Sequence, residues 1–600
     1  MLRAPLAFAI ALTFVGHARA VEPAETAAQF IARVNAESYA RAKESNAAQW
    51  VAATYINDDT QLLSAKASER SLAVQSEILA QTEQYRGQES DPVTERALYV
   101  LRVNNTVLPP KDAKAQSELA ALAARLEAAY GSGKDCKDPK DASTCRDLVV
   151  LSKVLAESRD PAALAEAWSA WHDLAKGSKD DYARFAELLN QGARDYGFKD
   201  AGDLWRSAYD MPPDAFRDEV ERLYAQVAPL YEQVHCYVRG KLNAKYGDAV
   251  QQKTGPIRAD LLGNMWSQEW GNIWDLVEPY PDAPSLDVTA KLVAQDWDAA
   301  RMTRQAEDFY VSLGMPKLPE SFWSKAQLVK PRDRDVVCHA SAWDMDMKGD
   351  VRIKMCIEPN EEEFRTVYHE LGHVYYYLGY NSLPPIFQGG AHDGFHEAIG
   401  DTVLLSLTPK YMNSIGLVDA PATSKEALIN QMMKQAVDRI AFLPFGKLID
   451  NWRWQVFAGE TTPAQYNDAW WALKLKYQGV VPPGGERSDA EFDPGAKYHV
   501  PGNTPYTRYF LAFILQFQFH KALCEASGHK GPLHECSVYG NKEAGKRYWA
   551  MLSKGQSQPW PQTLKELTGT TRMDARPIVD YFQPLMGWLK TENRGQQCGW

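Results

Sequence analysis

The 600-residue sequence predicts a mostly α-helical fold, organised as one large domain over residues 21–600. Apolar residues recur at three- and four-residue spacing through long stretches, whereas the alternating pattern of strands is scarce. The clearest helical stretches are residues 117–130, 161–175, 181–193 and 216–242. The length favours several domains, but no internal repeat or long low-complexity linker divides the chain. We therefore expect one domain.

Residues 1–20 have the pattern of an export signal. Arg3 gives a basic start, residues 5–15 form a short apolar run, and Ala18-Arg19-Ala20 matches a small-x-small cleavage site. The run is too short to span a bilayer, and no other stretch reaches membrane length. We therefore expect a periplasmic or secreted protein without a membrane anchor. We also expect a monomer. Its formal net charge of −11 argues against general affinity for nucleic acid.

The eight cysteines of an exported chain predict disulfides, because oxidising compartments favour them. Three pairs are close in sequence and predict local bridges: Cys136–Cys145, Cys338–Cys356 and Cys524–Cys536. Cys236 and Cys598 are then left over, and the sequence does not decide their state. Free buried thiols are the alternative for all eight.

One β-hairpin is predicted in this helical chain, between residues 335 and 354. The apolar and β-branched residues within 335–339 favour a first strand, and those within 351–354 favour the return strand. Lys348-Gly349-Asp350 supplies the turn chemistry.

The stretch Tyr368-His369-Glu370-Leu371-Gly372-His373 predicts a metal-binding helix. Residues four apart lie about 40° from each other around a helix axis, so both imidazoles can reach one ion. Glu370 is placed to take a proton from water activated by that ion, as in the H-E-x-x-H zinc peptidases. The alternative is a surface helix with solvated histidines. An apolar stripe through residues 364–378 argues against it.

A second acidic helix supplies the third ligand that a zinc site needs. No third histidine follows at metzincin spacing, but Glu397 lies 24 positions after His373, in a stretch that predicts a buried helix. Two histidines and one glutamate leave the fourth position open, which is typical of catalytic zinc. Asp401 lies one turn after Glu397 and can accept the outer N–H of a ligand imidazole. Its alternative is a simple helix charge.

Five sequence blocks together resemble the angiotensin-converting enzyme family of zinc peptidyl-dipeptidases. The blocks are residues 337–344, 369–373, 394–401, 492–499 and 505–510. The resemblance implies a large helical ellipsoid, made of two interleaved subdomains and split by a deep active-site groove with zinc at its floor. It also implies that the hairpin lies beside the zinc site and that residues 23–130 form a helical lid.

The resemblance implies release of C-terminal dipeptides from oligopeptides that have a free C-terminal carboxylate. Water activated by one zinc ion attacks the scissile carbonyl, with Glu370 as general base and then proton donor. His499 and Tyr509 match the residues that stabilise the oxyanion, although a lone histidine or tyrosine is more often core. His339 and Ala340 match residues whose hairpin edge pairs with the peptide backbone.

Recognition of the terminal carboxylate is assigned by the same resemblance. Lys497 supplies the charge, and Tyr506 and Gln268 donate hydrogen bonds. A related mammalian carboxypeptidase has an arginine where this chain has Gln268, so the glutamine favours dipeptide release. Phe442 and Phe513 match residues that line the pocket, although each also fits plain packing.

Chloride is implied as an activator of the family. Arg508 matches the arginine that binds the anion near the active site, with Tyr237 expected as its neighbour. The alternative for Arg508 is a structural ion pair. A second anion site uses two arginines and a tryptophan in the family. Arg194 and Trp470 match it, but Lys474 stands where an arginine is usual and lacks the planar fork.

Two other functions stay open for this sequence. One is a metallocarboxypeptidase that releases single residues, against which Gln268 argues. The other is an inactive homologue that acts as a binding module. Such proteins lose a ligand or the base, whereas all the expected residues are present here.

Overall fold

The computed structural model describes residues 25–138, 140–284, 287–419 and 424–600. Within these ranges it contains 24 α-helices and six short strands, so the predicted mostly α fold is confirmed. The expected export signal, residues 1–20, lies outside the described residues.

Four N-terminal helices form the first part of the chain: α1 (Ala27–Thr54), α2 (Asp58–Thr82), α3 (Pro92–Val103) and α4 (Ala113–Ser132). Thr26 and Asn57 each cap the helix that follows, because their side chains accept a backbone N–H of the first turn. A small apolar cluster joins α1 and α3 to a later turn through Phe30, Ile31, Val100 and Phe387, among others. This cluster is separate from the main core. The role of these helices as a lid stays a prediction.

The middle of the chain contains nine further helices. They are α5 (Leu148–Glu157), α6 (Pro161–Leu174), α7 (Lys179–Asp195), α8 (Ala201–Ser207), α9 (Pro213–Tyr246), α10 (Trp274–Val277), α11 (Thr289–Ala294), α12 (Ala299–Ser312) and α13 (Glu320–Lys325). The predicted stretches 117–130, 181–193 and 216–242 lie within α4, α7 and α9. The stretch 161–175 matches α6 to within one residue.

The strands form three small two-stranded pairs. They are β1 (Asp135–Cys136) with β2 (Cys145–Arg146), β3 (Ile257–Arg258) with β6 (Val480–Val481), and β4 (Ser341–Asp344) with β5 (Val351–Lys354). The first and last pairs are antiparallel, and β3 with β6 is parallel.

The predicted hairpin is present, but its first strand is β4 and not residues 335–339. Those residues are irregular because their backbone groups bond elsewhere. Val337 donates its N–H to Ala53 O of α1 at 2.9 Å, and Lys354 Nζ donates to Val337 O at 2.7 Å. Pairing with β5 therefore begins only at Ser341, which is opposite Lys354.

Helices α14 (Glu361–Tyr380) and α15 (Asp393–Leu404) cross at two glycines. A Cβ atom on Gly372 would lie 2.3 Å from Gly400 Cα, and one on Gly400 would lie 2.3 Å from His369 O. Only glycine permits this approach. The crossing brings the H-E-x-x-H segment of α14 against the acidic helix α15.

Nine helices complete the fold: α16 (Pro409–Ser414), α17 (Lys425–Gln435), α18 (Ala441–Phe457), α19 (Tyr466–Leu473), α20 (Thr507–Ala526), α21 (Lys542–Leu552), α22 (Trp560–Thr568), α23 (Arg576–Tyr581) and α24 (Gln583–Glu592). One continuous apolar core extends from Leu79 of α2 to Leu589 of α24. Among the helices in the described ranges, none is both long enough and apolar enough to span a membrane.

Four disulfides tie the chain together. The three predicted local bridges are confirmed. Cys236 and Cys598 are not left over, because they form the fourth bridge. This bridge joins positions 362 residues apart and fastens the C-terminal segment to α9. A pair so distant in sequence has no local signal, so only the folded chain reveals it.

Candidate active site

His369 and His373 of α14 and Glu397 of α15 direct their ligand atoms toward one point. The two Nε2 atoms are 3.2 Å apart, and Glu397 Oε2 lies 3.6 Å from His369 Nε2 and 4.0 Å from His373 Nε2. Ligands at zinc–ligand distances of about 2.0–2.1 Å form a tetrahedron with edges of about 3.3 Å. The three residues therefore fit a zinc ion with one open position.

Glu370 points its carboxylate into the site. Its side chain is buried, and its Oε2 atom has no hydrogen-bond partner among the described residues. Burial raises the pKa of Glu370 to about 7, which the nearby His369 partly opposes. A carboxyl group with this pKa can take up and release a proton near neutrality.

Asp401 and Arg439 hold the outer side of His369. His369 Nδ1 lies 3.0 Å from Asp401 Oδ1, and Arg439 Nη1 donates to Asp401 Oδ2 at 2.9 Å. Burial acts to raise the pKa of Asp401, but Arg439 and His369 outweigh it and hold this pKa well below its usual range. The carboxylate thus fixes the imidazole with Nε2 facing the metal position. The sequence has no signal for Arg439, which lies in a π-helical segment before α18.

His396, which the sequence analysis did not assign, lies on the outer side of His373. Their Nδ1 atoms are 3.0 Å apart. The other ring nitrogen of His396 lies 3.0 Å from Tyr380 Oη. Each of the two ligand histidines therefore has a partner of its own on its outer side.

Helix α18 fastens the segment that carries His499 and Tyr509. Asp450 accepts the N–H groups of Tyr506 and Thr507 at 2.7 Å each, at the start of α20. Arg453, which forms a buried ion pair with Asp450, donates to His499 O at 2.7 Å. Each member of this buried charge pair makes further hydrogen bonds to the segment, so the segment has a defined position.

The rings of His499 and Tyr509 lie beside each other. Their centroids are 5.8 Å apart, and the Tyr506 ring lies 4.6 Å from His499 and 5.0 Å from Tyr509. Burial lowers the pKa of His499 to about 3, and the charge of Lys497 adds to this effect. The imidazole is therefore neutral near neutral pH. Its Nδ1 atom is buried and has no partner within the described ranges.

The three residues expected to recognise a carboxylate form one polar cluster. Lys497 Nζ donates to Gln268 Oε1 at 2.7 Å, and Tyr506 Oη donates to the same oxygen at 3.3 Å. Lys497 Nζ also lies 3.9 Å from the centroid of Trp266. Burial lowers the pKa of Lys497 to about 7. A buried ammonium with an amide and a phenol beside it is a good receptor for a carboxylate.

Two phenylalanines connect this cluster with the metal ligands. Phe442 packs against Phe513 at 4.9 Å between centroids and against Tyr506 at 5.8 Å. Arg439, the partner of Asp401, lies 5.3 Å from the Phe513 ring. The predicted pocket residues thus form a continuous path from the metal ligands to Lys497.

His339 and Ala340 precede β4 and do not lie within a strand. The side chain of His339 is exposed, and Lys354 Nζ holds its carbonyl oxygen. The hairpin itself packs beside α14, where Tyr377 Oη donates to Ala342 O at 3.3 Å. The hairpin is thus close to α14, and the role of His339 and Ala340 stays a prediction.

Arg508 has a different neighbour from the expected one. Asp393 Oδ2 lies 3.2 Å from Arg508 Nε, and Tyr209 Oη donates to Asp393 Oδ1 at 2.8 Å. The expected neighbour, Tyr237, instead packs against Trp588 of α24 at 5.1 Å. The prediction of Tyr237 is therefore wrong. Tyr209 lies in the turn between α8 and α9, whereas Tyr237 lies within α9.

The second expected anion site is not assembled from the predicted residues. Arg194 is exposed on the last turn of α7, whereas Trp470 is buried. Lys474 lies near Trp470 and donates to Trp266 O at 2.9 Å. Arg194 is thus wrong as a partner of Trp470, because its side chain faces solvent.

A family model described as angiotensin-converting enzyme matches residues 21–600 of this chain. The chain is 47% identical over 477 residues to the angiotensin-converting enzyme of Mesocricetus auratus, covering 78% of this chain and 36% of that protein. It is 46% identical over 475 residues to the angiotensin-converting enzyme of Theromyzon tessulatum, and this match covers 78% of this chain and 77% of that protein. The angiotensin-converting enzyme-like protein Ace3 of Mus musculus is 41% identical over 503 residues, covering 83% and 67%.

The chain spans little more than a third of the mammalian angiotensin-converting enzymes that it matches, between 36% and 38% of their length. The similarity therefore relates this chain to one part of those longer proteins.

Proposed function

We propose that this chain, which belongs to the angiotensin-converting enzyme family of metallopeptidases, is a zinc-dependent peptidyl-dipeptidase that removes C-terminal dipeptides from oligopeptides. One observation carries the proposal. A cluster of three metal-ligating side chains with a buried carboxylate beside it is connected, through Phe513 and Phe442, to a buried lysine–amide–phenol cluster. An exopeptidase needs both parts at a constant separation, because it must recognise the terminus of the substrate and cut near it.

His369, His373 and Glu397 would hold the zinc ion, which polarises the substrate carbonyl and lowers the pKa of water. Glu370 takes the proton of the attacking water and returns it to the leaving amine. Its buried, unpartnered Oε2 supports this assignment, because an oxygen already in a hydrogen bond is a poorer base. His499 and Tyr509 donate hydrogen bonds to the oxyanion as charge develops on it.

Lys497 gives the site its preference for a free terminal carboxylate. Its ammonium donates to the neutral amide oxygen of Gln268, so the carboxylate of a bound substrate would supply a counter-charge. Gln268 and Tyr506 orient the carboxylate through hydrogen bonds. Gln268 is shorter than an arginine and leaves room for two residues between the metal and Lys497. We therefore favour dipeptide release over release of single residues.

Chloride, which the family resemblance implies as an activator, has a reduced role in our proposal. The carboxylate of Asp393 supplies the negative charge beside Arg508. We therefore propose that Arg508 needs no bound anion to orient the segment containing Tyr509.

We further propose that the protein is exported and acts as a monomer of one catalytic domain over residues 21–600. Four disulfides among the described residues support an oxidising compartment. The continuous main core supports a single domain.

Mass spectrometry of digests of one decapeptide, with a free and with an amidated C-terminus, tests the proposal. We expect stepwise loss of two residues from the free acid and slow or absent cleavage of the amide. Loss of single residues would instead establish the carboxypeptidase. A zinc-loaded chain that binds the peptide without cleaving it would establish the inactive binding module.

A further inference from the structure

We propose that His396 is a positioning residue for the metal ligand His373. This inference rests on the metal site proposed above. His396 precedes the ligand Glu397 on α15, and its Nδ1 atom lies 3.0 Å from His373 Nδ1. The ordinary alternative is a core histidine that only fills space. The hydrogen-bond pattern around the ring argues against that alternative.

The direction of each hydrogen bond follows from the position of His373. Its Nε2 atom faces His369 Nε2 at 3.2 Å, so Nε2 is the ligand atom and Nδ1 carries the proton of the neutral ring. His373 Nδ1 therefore donates, and His396 Nδ1 accepts. The proton of His396 is then on Nε2, which donates to Tyr380 Oη at 3.0 Å. Tyr380 Oη can accept this proton, so it gives Nε2 a partner in the tautomer of His396 that receives the N–H of His373.

Neighbouring rings keep His396 in this orientation. Its ring lies 5.2 Å from the His373 ring at 29° between planes, and 4.6 Å and 5.3 Å from the rings of Tyr376 and Tyr377. All three neighbours belong to α14. The contact between α14 and α15 therefore both assembles the ligands and immobilises the acceptor of His373.

The two ligand histidines are consequently supported in different ways. His369 donates to the charged carboxylate of Asp401, which increases the electron density on its ligand nitrogen. His373 donates to a neutral imidazole, which orients the ring with less electronic effect. We expect His396 to affect how long the metal stays bound. Loss of an outer partner of a ligand typically weakens metal binding by about 10- to 100-fold.

The test compares His396→Leu with His396→Asn in the zinc-loaded protein. Leucine keeps bulk but cannot accept a hydrogen bond, whereas the asparagine oxygen can replace Nδ1 as the acceptor. The readout is the rate at which zinc passes to a chromophoric chelator, which does not depend on peptide hydrolysis. We expect about 10- to 100-fold faster zinc loss for leucine and recovery toward the wild-type rate for asparagine. The melting temperatures of the zinc-free proteins control for general damage.

Wild-type zinc loss in a folded His396→Leu protein would overturn the inference, as would equally fast loss in the leucine and asparagine variants. If His396→Leu does not fold, Tyr380→Phe replaces it, because this change removes the hydrogen-bond partner that holds His396 Nε2. Faster zinc loss than wild type is then expected, and an unchanged rate would again contradict the role. Absence of zinc from the wild-type protein would instead refute the proposed function itself.

Discussion

Asp393 and Arg508 form an ion pair next to the catalytic segment, with 3.2 Å between Asp393 Oδ2 and Arg508 Nε. Tyr209 holds the other carboxylate oxygen at 2.8 Å. The residue after Arg508 is Tyr509, so this pair supports the start of α20 where the proposed oxyanion donor projects. The charge that a bound anion would supply is part of the chain.

The first prediction is that hydrolysis by the wild-type protein does not depend on chloride. Asp393→Asn removes the internal charge, and we expect a rate without chloride that is lower by up to about fivefold, because an ion pair between partly exposed side chains is worth about 0.2–1 kcal/mol. Added chloride should restore part of the rate that Asp393→Asn loses. Rates measured against chloride at constant ionic strength, with sulfate as the balancing salt, check this. Tyr237→Phe is the control and should leave the salt response unchanged. Chloride activation of the wild type would contradict the prediction.

The second prediction concerns the base. Glu370→Gln should keep its zinc but lose about 10²- to 10⁴-fold in kcat, the usual contribution of general acid–base catalysis. The change removes the proton acceptor and preserves the shape of the side chain. Glu362→Gln, at an exposed position of the same helix, is the matched control and should behave as wild type. A Glu370→Gln protein with near wild-type kcat would remove Glu370 from the mechanism.

The third prediction concerns recognition of the substrate terminus. Lys497→Met should lower kcat/KM for free-acid peptides by about 10- to 100-fold, because a charge-assisted contact is lost. For peptides with an amidated terminus, kcat/KM should fall much less, since these peptides lack the carboxylate. Lys476→Met, which changes an exposed lysine in the same way, is the control. Equal losses for acid and amide peptides would show that Lys497 only supports the fold.

The helical period explains how much of the site could be predicted from the sequence. Residues four apart share a helix face, so His369 with His373, and Glu397 with Asp401, necessarily project together. The helix crossing at Gly372 and Gly400 is a tertiary contact and has no periodic signal. The sequence could therefore propose which residues meet, but not the contact of His396 with His373, which depends on that crossing. It also could not propose Arg439, which comes from a separate segment before α18.

Contacts between distant segments account for the errors. Tyr209 lies in a turn and Tyr237 in α9, and a single sequence cannot tell which one faces Arg508. Arg194 matched a family position in sequence, yet its side chain faces solvent. The first strand was misplaced for a related reason. Residues 335–339 have strand-like composition, but α1 and Lys354 provide the hydrogen-bond partners of their backbone.

The fourth prediction concerns the long-range disulfide. Replacing both Cys236 and Cys598 by alanine should destabilise the protein by about 2–5 kcal/mol, because this bridge closes the longest loop in the unfolded chain. The double variant Cys136→Ala with Cys145→Ala is the matched control. It should destabilise the protein less, since the Cys136–Cys145 bridge closes a loop between positions only nine residues apart. Urea unfolding of the two double variants measures the difference. Equal destabilisation would show that loop length does not determine the contribution of the Cys236–Cys598 bridge.

The most direct test of the central claim is the metal content of the purified protein, measured by mass spectrometry of the elements while hydrolysis is followed. We predict about one zinc per chain, loss of hydrolysis on removal of zinc by a chelator, and full return when about one equivalent is added back. A folded protein without stoichiometric metal, whose peptide hydrolysis is indifferent to chelators, would contradict the account.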